Sequence, residues 1–401
     1  MRIIINECKK ILDIRIILLL CMFSILYYMT FTQIYRYPTG GQVTNTKYDI
    51  PFTAELVKEW GPKWKVKDEK QYQEKHQELE RGFAKIIKQD QELSKRGIVD
   101  YEIFNKKYEE LGQKTALSKQ EKELDKILEN YVFYKDKTSK IFLDIQALEH
   151  IREFQGSEYG VSDKKYKELK ADGFFDGTKL YQKAIEKRVK RDYISLVHEG
   201  VFYILQEDMV TIGGLIMICF FALIIPYQLK QRLRQVIPIL ATTKTGRRIY
   251  HIQLIASALV ALFVGILQMA VYGIIWHLKG LSVFWRCESW GIASNSYWCD
   301  KLSFGTYMLL YMALILLFAI ASIVIIDFIG RTIGNYMGAV AVSIPVCGVM
   351  MFLMRKIYYM LFLITYDQVL AYWELYALAT WLIVMLLFYK IRSKRWKKVD
   401  L

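Results

Sequence analysis

Few residues in this chain have types and spacing that could carry chemistry, and those few stand far apart. Lys244-Thr245-Gly246 matches the KTG triplet of penicillin-binding enzymes, and Ser162 to Lys165 matches their SxxK pair, the signature of acyl-serine chemistry. The apolar runs between them place the two on opposite sides of a membrane, so they build no joint site and the match is a coincidence. Cys287 and Cys299 bound the segment CESWGIASNSYWC, close to His277. A Cys-Cys-His metal site there lacks a fourth ligand at usual spacing. A disulfide closing the same loop would contribute about 3 kcal/mol in the chain-entropy model, so the pair is a candidate disulfide. The remaining cysteines, Cys8, Cys21, Cys219 and Cys347, read as membrane-buried or cytoplasmic thiols. No GxxxxGK[ST], HExxH, CxxC or GxSxG occurs, and the five histidines are scattered. The sequence thus assigns no catalytic, cofactor-binding or metal-ligating set. The chain does not read as an enzyme, and any work driven by ATP needs a partner as its motor.

The elements that would position functional residues follow from the distribution of apolar and charged residues. The chain is 53% hydrophobic with a formal charge of +15. Residues 35–208 hold acids and bases in near balance, so the excess of cations lies at the ends and in the loops beside apolar runs. That placement argues against nucleic-acid binding and for membrane topology. Uncharged runs predict six spans: Ile16–Ile34, Met209–Tyr227, Ile252–Trp276, Phe304–Ile326, Tyr336–Met354 and Tyr372–Tyr389. The run from Gln228 to His251 carries Lys230, Arg232, Arg234, Lys244, Arg247 and Arg248 with no acid, which marks it as cytoplasmic. Both termini are then cytoplasmic, and the protein is a multi-pass component of the plasma membrane. The first run is read as a retained span, since no small-x-small cleavage site follows it. Arg2, Lys9, Lys10 and Arg15 before it make residues 1–34 a basic lead-in helix plus a span, and residues 390–401 form a basic tail.

Residues 35–208 read as a helical extracytoplasmic domain, large enough for its own core. Tyr72, Leu79, Ile86 and Leu93 recur every seven residues, with His76, Phe83 and Asp90 in the second seam. Asp100 and a Ser118–Glu121 capping box start further helices. Gly156 to Gly160 marks a break and Ser162-Asp163 a restart. Thr178 starts a last helix, expected to run through Tyr181, Ile185, Val189 and Leu196 toward the membrane. In residues 209–389, the DFIGRTIGN stretch with Arg331 reads as a short turn between spans. Ile357–Tyr366 is too short to span and reads as an outer interfacial segment, with Asp367 and Glu374 solvated beside it. The fold class is therefore all-α: six membrane helices and a helical extracytoplasmic domain.

Within the basic loop, Leu229, Leu233, Val236, Ile237 and Leu240 fall at helical spacing, broken by Pro238 and closed by Thr243 to Gly246. This order of span, basic amphipathic loop and LxTTKTGRR resembles the loop between the second and third helices of type-2 ABC transporter permeases. The family pattern Leu-x-(Ser/Thr)-(Thr)-x-x-(Gly/Ser)-Arg falls on Leu240, Thr242, Thr243, Gly246 and Arg247, with Lys244 between them. The family's acid just after the span is replaced by Gln228 or Gln231. Glu7, Lys9 and Lys10 before the first span are similar to that family's lead-in helix. The resemblance implies that residues 240–247 dock on a separate cytoplasmic ABC ATPase subunit and that a second copy or a sister permease completes the channel. It also implies a bacterial efflux role, and the aromatic and Met-rich spans favour an amphipathic or hydrophobic cargo, such as a lipid or peptide, over a small ion. A different reading of the same chain is a membrane-anchored sensor or assembly scaffold that acts through its extracytoplasmic domain.

Overall fold

Burial divides the apolar helices into one central rod and five peripheral ones. The computed structural model describes residues 2–36, 46–65, 68–114, 116–134, 136–156, 177–189, 193–233, 249–289, 301–359, 361–364 and 368–398. After a short helix at Arg2–Ile11 (α1) come six that are long and apolar enough to cross a membrane. These are Ile14–Phe31 (α2), Glu199–Leu233 (α11), Ile249–Leu278 (α12), Phe304–Thr332 (α13), Tyr336–Tyr358 (α14) and Trp373–Lys398 (α15). In α11, 78% of the apolar window is buried, against 17% in α2 and α15 and 44% in α13, so α11 is the axis and the others expose flanks to lipid. Leu18, Leu19, Met22, Ile25 and Leu26 are exposed along α2, the composition a lipid-facing surface requires. The chain is thus an all-helical, multi-pass membrane protein.

The helices run past the predicted bounds. The charged residues that sequence reasoning takes as loop instead continue α11 through Lys230 and Arg232, α13 through Asp327 and Arg331, and α14 through Arg355 and Lys356. Arg331 therefore sits on a helix and not in a turn. Close approach of α13 to α11 depends on Gly330, where an added Cβ would stand 2.8 Å from Gln228 Cβ. After α14, Leu361, Phe362 and Ile364 are buried, and Phe362 N donates to Glu374 Oε1 at 3.1 Å. Glu374 is only 1% exposed, so it ties this segment to α15 and is not the solvated carboxylate the sequence suggests. Asp367 lies outside the described residues.

Between α2 and α11 the chain folds as short helices: Gln33–Arg36 (α3), Thr46–Trp60 (α4), Glu69–Gln89 (α5), Gln91–Lys95 (α6), Tyr101–Gly112 (α7), Lys119–Glu129 (α8), Asp136–Gly156 (α9) and Lys179–Val189 (α10). The capping signals hold. Asp100 accepts from Ile103 N at 2.9 Å, and Ser118 and Glu121 form the reciprocal box. Lys114, with Ser118, holds the Glu121 carboxyl down to about 2. The seven-residue seam does not hold, because Asp90 ends α5 and its side chain caps α6, which places Leu93 on a separate helix. The buried residues of α5 are Tyr72, Phe83 and Ile87, and Phe83, Phe104 and Phe142 centre a core of this region's own.

Leu196 is not on the last helix either. α10 ends at Val189, and Tyr193–Ser195 (β2) pairs antiparallel with Lys63–Lys65 (β1), Trp64 opposite Ile194. Trp64, Ile194 and Leu196 belong to the same core as Phe202 and Phe304, so this half of the helical region is continuous with the membrane bundle. Glu288, between α12 and α13, fastens the joint. It accepts from Lys63 Nζ at 2.7 Å and Tyr193 OH at 2.9 Å, while Ser195 Oγ donates to its carbonyl at 3.0 Å.

Replacing Gly330 with alanine must drive α13 off α11, because the opposing atom is a Cβ that no rotamer change can move. We expect a loss of about 1–3 kcal/mol, read as a lower thermal midpoint of the detergent-solubilised protein. An unchanged midpoint would contradict this packing.

Candidate functional site: a buried polar cluster at the loop stems

Polar side chains inside apolar helices are costly unless partnered, so where several meet they mark a constructed site. Several meet at the end of the bundle where α11 stops and α12 begins. Asp327 and Arg331 lie four residues apart on α13, on one face of the helix, with Nε to Oδ2 at 2.8 Å and both side chains almost fully buried. Each is completed from a different neighbour. Gln228 Nε2 of α11 donates to Asp327 Oδ1 at 2.5 Å, and Arg331 Nη2 donates to Gln253 Oε1 of α12 at 2.8 Å. The Arg331 guanidinium also lies 5.0 Å from the centre of the Tyr250 ring, a cation–π contact.

A second tier surrounds this one. Arg232 Nη1 donates to the carbonyls of Arg331 at 3.1 Å and Thr332 at 2.6 Å, capping the last turn of α13 with a cation. Arg392 of α15 places its guanidinium 4.7 Å from the centre of the Phe328 ring. His251 Nδ1 and Tyr389 OH are 2.7 Å apart, and Tyr389 stacks on Tyr250. From α1, Glu7 is buried and accepts from Tyr227 OH and from Lys10 Nζ at 2.5 Å. Ile4, Cys8 and Ile11 of α1 pack with Leu223 and Val260, so the lead-in helix is seated between α11 and α12. Five helices therefore converge on the two stems of one connection, residues 234–248.

The residues singled out from sequence as a docking motif, Leu240, Thr242, Thr243, Lys244, Gly246 and Arg247, fall in that connection and lie outside the described residues. Cys299, between α12 and α13, also lies outside the described residues, while Cys287 is buried with its Sγ 3.6 Å from Leu196 O. As a thiol, Cys287 is pushed up to about 12 by burial. What sequence reasoning missed is the support of the loop: Asp327 with Arg331, Glu7 with Tyr227, and Gln253. The signal for the first was present as an Asp-x-x-x-Arg spacing at the end of an apolar run. The other two pair residues more than 70 positions apart in the chain.

At the other end of the bundle, buried Asp208 of α11 accepts from Ile34 N of α3 at 3.0 Å and from Tyr272 OH of α12 at 3.2 Å, joining those three helices. Between the two ends, α2 and α12 diverge around Cys219 and Leu223 of α11 and leave a groove of about 570 Å³, walled by Ile17, Leu20, Leu267 and Val271. Its polar atoms are few: Gln268 Nε2 donates to Ser24 Oγ at 2.9 Å, and Tyr28 OH to Gln268 O at 2.7 Å. Among the described residues no group of His, Cys, Asp and Glu gathers as a metal site. What the polar cluster can do is mechanical. It sets the relative positions of α11, α12 and α13 by directional bonds. Compared with known proteins, the chain matches no family model, no curated protein and no solved structure.

Substituting Arg331 with methionine leaves Asp327 buried without its cation, at a cost of about 3–5 kcal/mol. Adding Asp327→Asn to the same chain is expected to recover part of that loss, because the orphaned charge is removed. A double-mutant cycle on thermal unfolding measures the coupling, and additive losses would show that the pair does not act as a unit.

Proposed function

We propose that the chain is the membrane-spanning subunit of an ATP-driven transporter of the type-2 ABC permease kind. It carries an amphipathic or hydrophobic cargo outward and is powered by a separate cytoplasmic ATPase that docks on residues 234–248. The observation that carries this reading is the convergence of α1, α11, α12, α13 and α15 on the two stems of that loop through a buried, hydrogen-bonded cluster. A force delivered to the loop would reach Gln228 and Arg232 on one stem and Tyr250 and Gln253 on the other. From there it would pass to α13 through side chains that cannot slide without breaking bonds. The loop sequence supplies the second support, with Leu240, Thr242, Thr243, Gly246 and Arg247 in the order of the permease docking segment. The acid-free, basic character of the loop puts it and both termini in the cytoplasm. The groove beside α2 is within the range of small-ligand sites and almost entirely apolar, which suits a lipid-like or peptide cargo better than an ion. A partner permease, either a second copy of this chain or a sister subunit, would complete the pathway.

One observation favours the sensor or scaffold reading. The helical region after α2 shares a core with the bundle and is fastened to it at Glu288, so a ligand bound there would be felt by the membrane helices. Partner recovery separates the two. Under the transport reading, the tagged chain in a mild detergent brings down a P-loop ATPase in stoichiometric amount. Arg247→Glu should remove it, while the fold, read by thermal midpoint, stays intact. Recovery of the chain alone, or of envelope proteins without nucleotide hydrolysis, sinks the transport reading and leaves the scaffold.

A further inference from the structure

A second cleft, of about 400 Å³, opens where α1 turns into α2. Its place along the helices fixes its depth. Ile16 comes from the start of α2, Leu233 from the end of α11 and Tyr336 from the start of α14, so the cleft begins at the membrane surface. Leu223, deeper in its wall, is ten residues from Leu233, or about 15 Å along a helix. Measured from Tyr227, where the expected span ends, Leu223 lies four residues, or about 6 Å, inside the hydrocarbon core. The inner walls are apolar, made by Ile16, Leu223 and Pro226.

The mouth is cationic and built from two separate helices. Lys10 lines it from the last turn of α1 and Lys230 from the last turn of α11. Lys10 Nζ is held by Glu7 at 2.5 Å, which positions it and leaves it further N–H donors. Lys230 is exposed and makes no hydrogen bond or ion pair among the described residues. Asp13, also on the rim, accepts from Arg15 N as the cap of α2. The first fifteen residues, which supply Lys10 and Asp13 to the rim, carry Arg2, Lys9, Lys10 and Arg15 against Glu7 and Asp13, a local excess of positive charge that favours an anion.

We propose that this cleft holds one anionic phospholipid, with its phosphate between Lys10 and Lys230 and an acyl chain along Leu233, Pro226 and Leu223. A soluble phosphate would leave the apolar walls wet, and an apolar molecule would leave the Lys230 ammonium without a counter-charge and the remaining donors of Lys10 without acceptors. A lipid with a charged headgroup satisfies both. By seating against α1 and α11 together, it would hold the lead-in helix onto the loop stem. The inference depends only on the helices crossing a membrane and stands under either functional reading.

The test uses the full chain purified in a neutral detergent, with the thermal midpoint titrated against phosphatidylglycerol, phosphatidylcholine of the same acyl chains, and glycerol phosphate. Native mass spectrometry counts the lipids retained. Phosphatidylglycerol should stabilise at the lowest concentration, with one tightly retained molecule. K10Q/K230Q should raise its half-saturation roughly thirtyfold, and K230Q alone, at an exposed position, roughly fivefold. K230R should bind like the parent, and K390Q, exposed on α15 away from the cleft, should change nothing. Equal response to the two lipids overturns the proposal, as does an equal loss in K390Q. A full response to glycerol phosphate alone would also overturn it, by reassigning the site to a free anion.

Discussion

The ion pair between Asp327 and Arg331 is the constraint on which the loop end of this bundle depends. Apolar helices in lipid gain little from the hydrophobic effect when they associate, because lipid tails are as apolar as their neighbours. Their relative positions must come from packing and from directional bonds. A carboxylate and a guanidinium on one helix could satisfy each other and leave the rest of the bundle free to slide. Here they do not, since Asp327 also takes a bond from α11 and Arg331 gives one to α12. The cost of burying two charges is thereby offset only in one arrangement of three helices. Gly330 is part of the same constraint, because only the absence of a Cβ lets Gln228 come close enough to reach Asp327.

The opposite end follows the same logic with a lighter hand. α2 has little packing of its own and is held to the bundle by a short series of polar contacts: Tyr27 OH to Thr211 O, Tyr28 OH to Gln268 O, and Asp208 to the amide of Ile34. These contacts fall on one flank of α2, and its other flank faces lipid. The groove between α2 and α12 and the cleft where α1 turns into α2 share one wall residue, Leu223 of α11.

Hydropathy made the six spans legible because a stretch without charge long enough to cross a bilayer has few other uses. Local capping chemistry was legible for the same kind of reason, since Asp100 and the Ser118–Glu121 box act within four residues. What failed were inferences that treated charge as loop. Asp327, Arg331 and Glu374 all lie within helices, because partners from elsewhere in the chain compensate them. The extension of α10 to Leu196 failed because β2 pairs with β1 from about 130 residues earlier, which no local pattern encodes. The seven-residue seam failed because Asp90, counted as a seam position, is a cap. The docking motif itself was legible only as a resemblance. It lies outside the described residues, while the polar cluster at the ends of α11 and α12 has members scattered from Glu7 to Arg392.

The length of α11 joins these ends into one system. Its 35 residues make a helix of about 52 Å, longer than a hydrocarbon core, so it projects beyond the membrane layer. Near its start, Val201, Phe202 and Leu205 are packed in the core shared with Trp64 and Ile194. At its end, Gln228 and Arg232 engage α13. Pro226 removes one backbone hydrogen bond, yet the helix continues through it, supported on most sides by its neighbours. A rod gripped at both ends and buried between cannot tilt at one end without moving the other. The helical region fastened at Glu288 and the polar cluster at the far end of α11 are therefore mechanically linked through a single element.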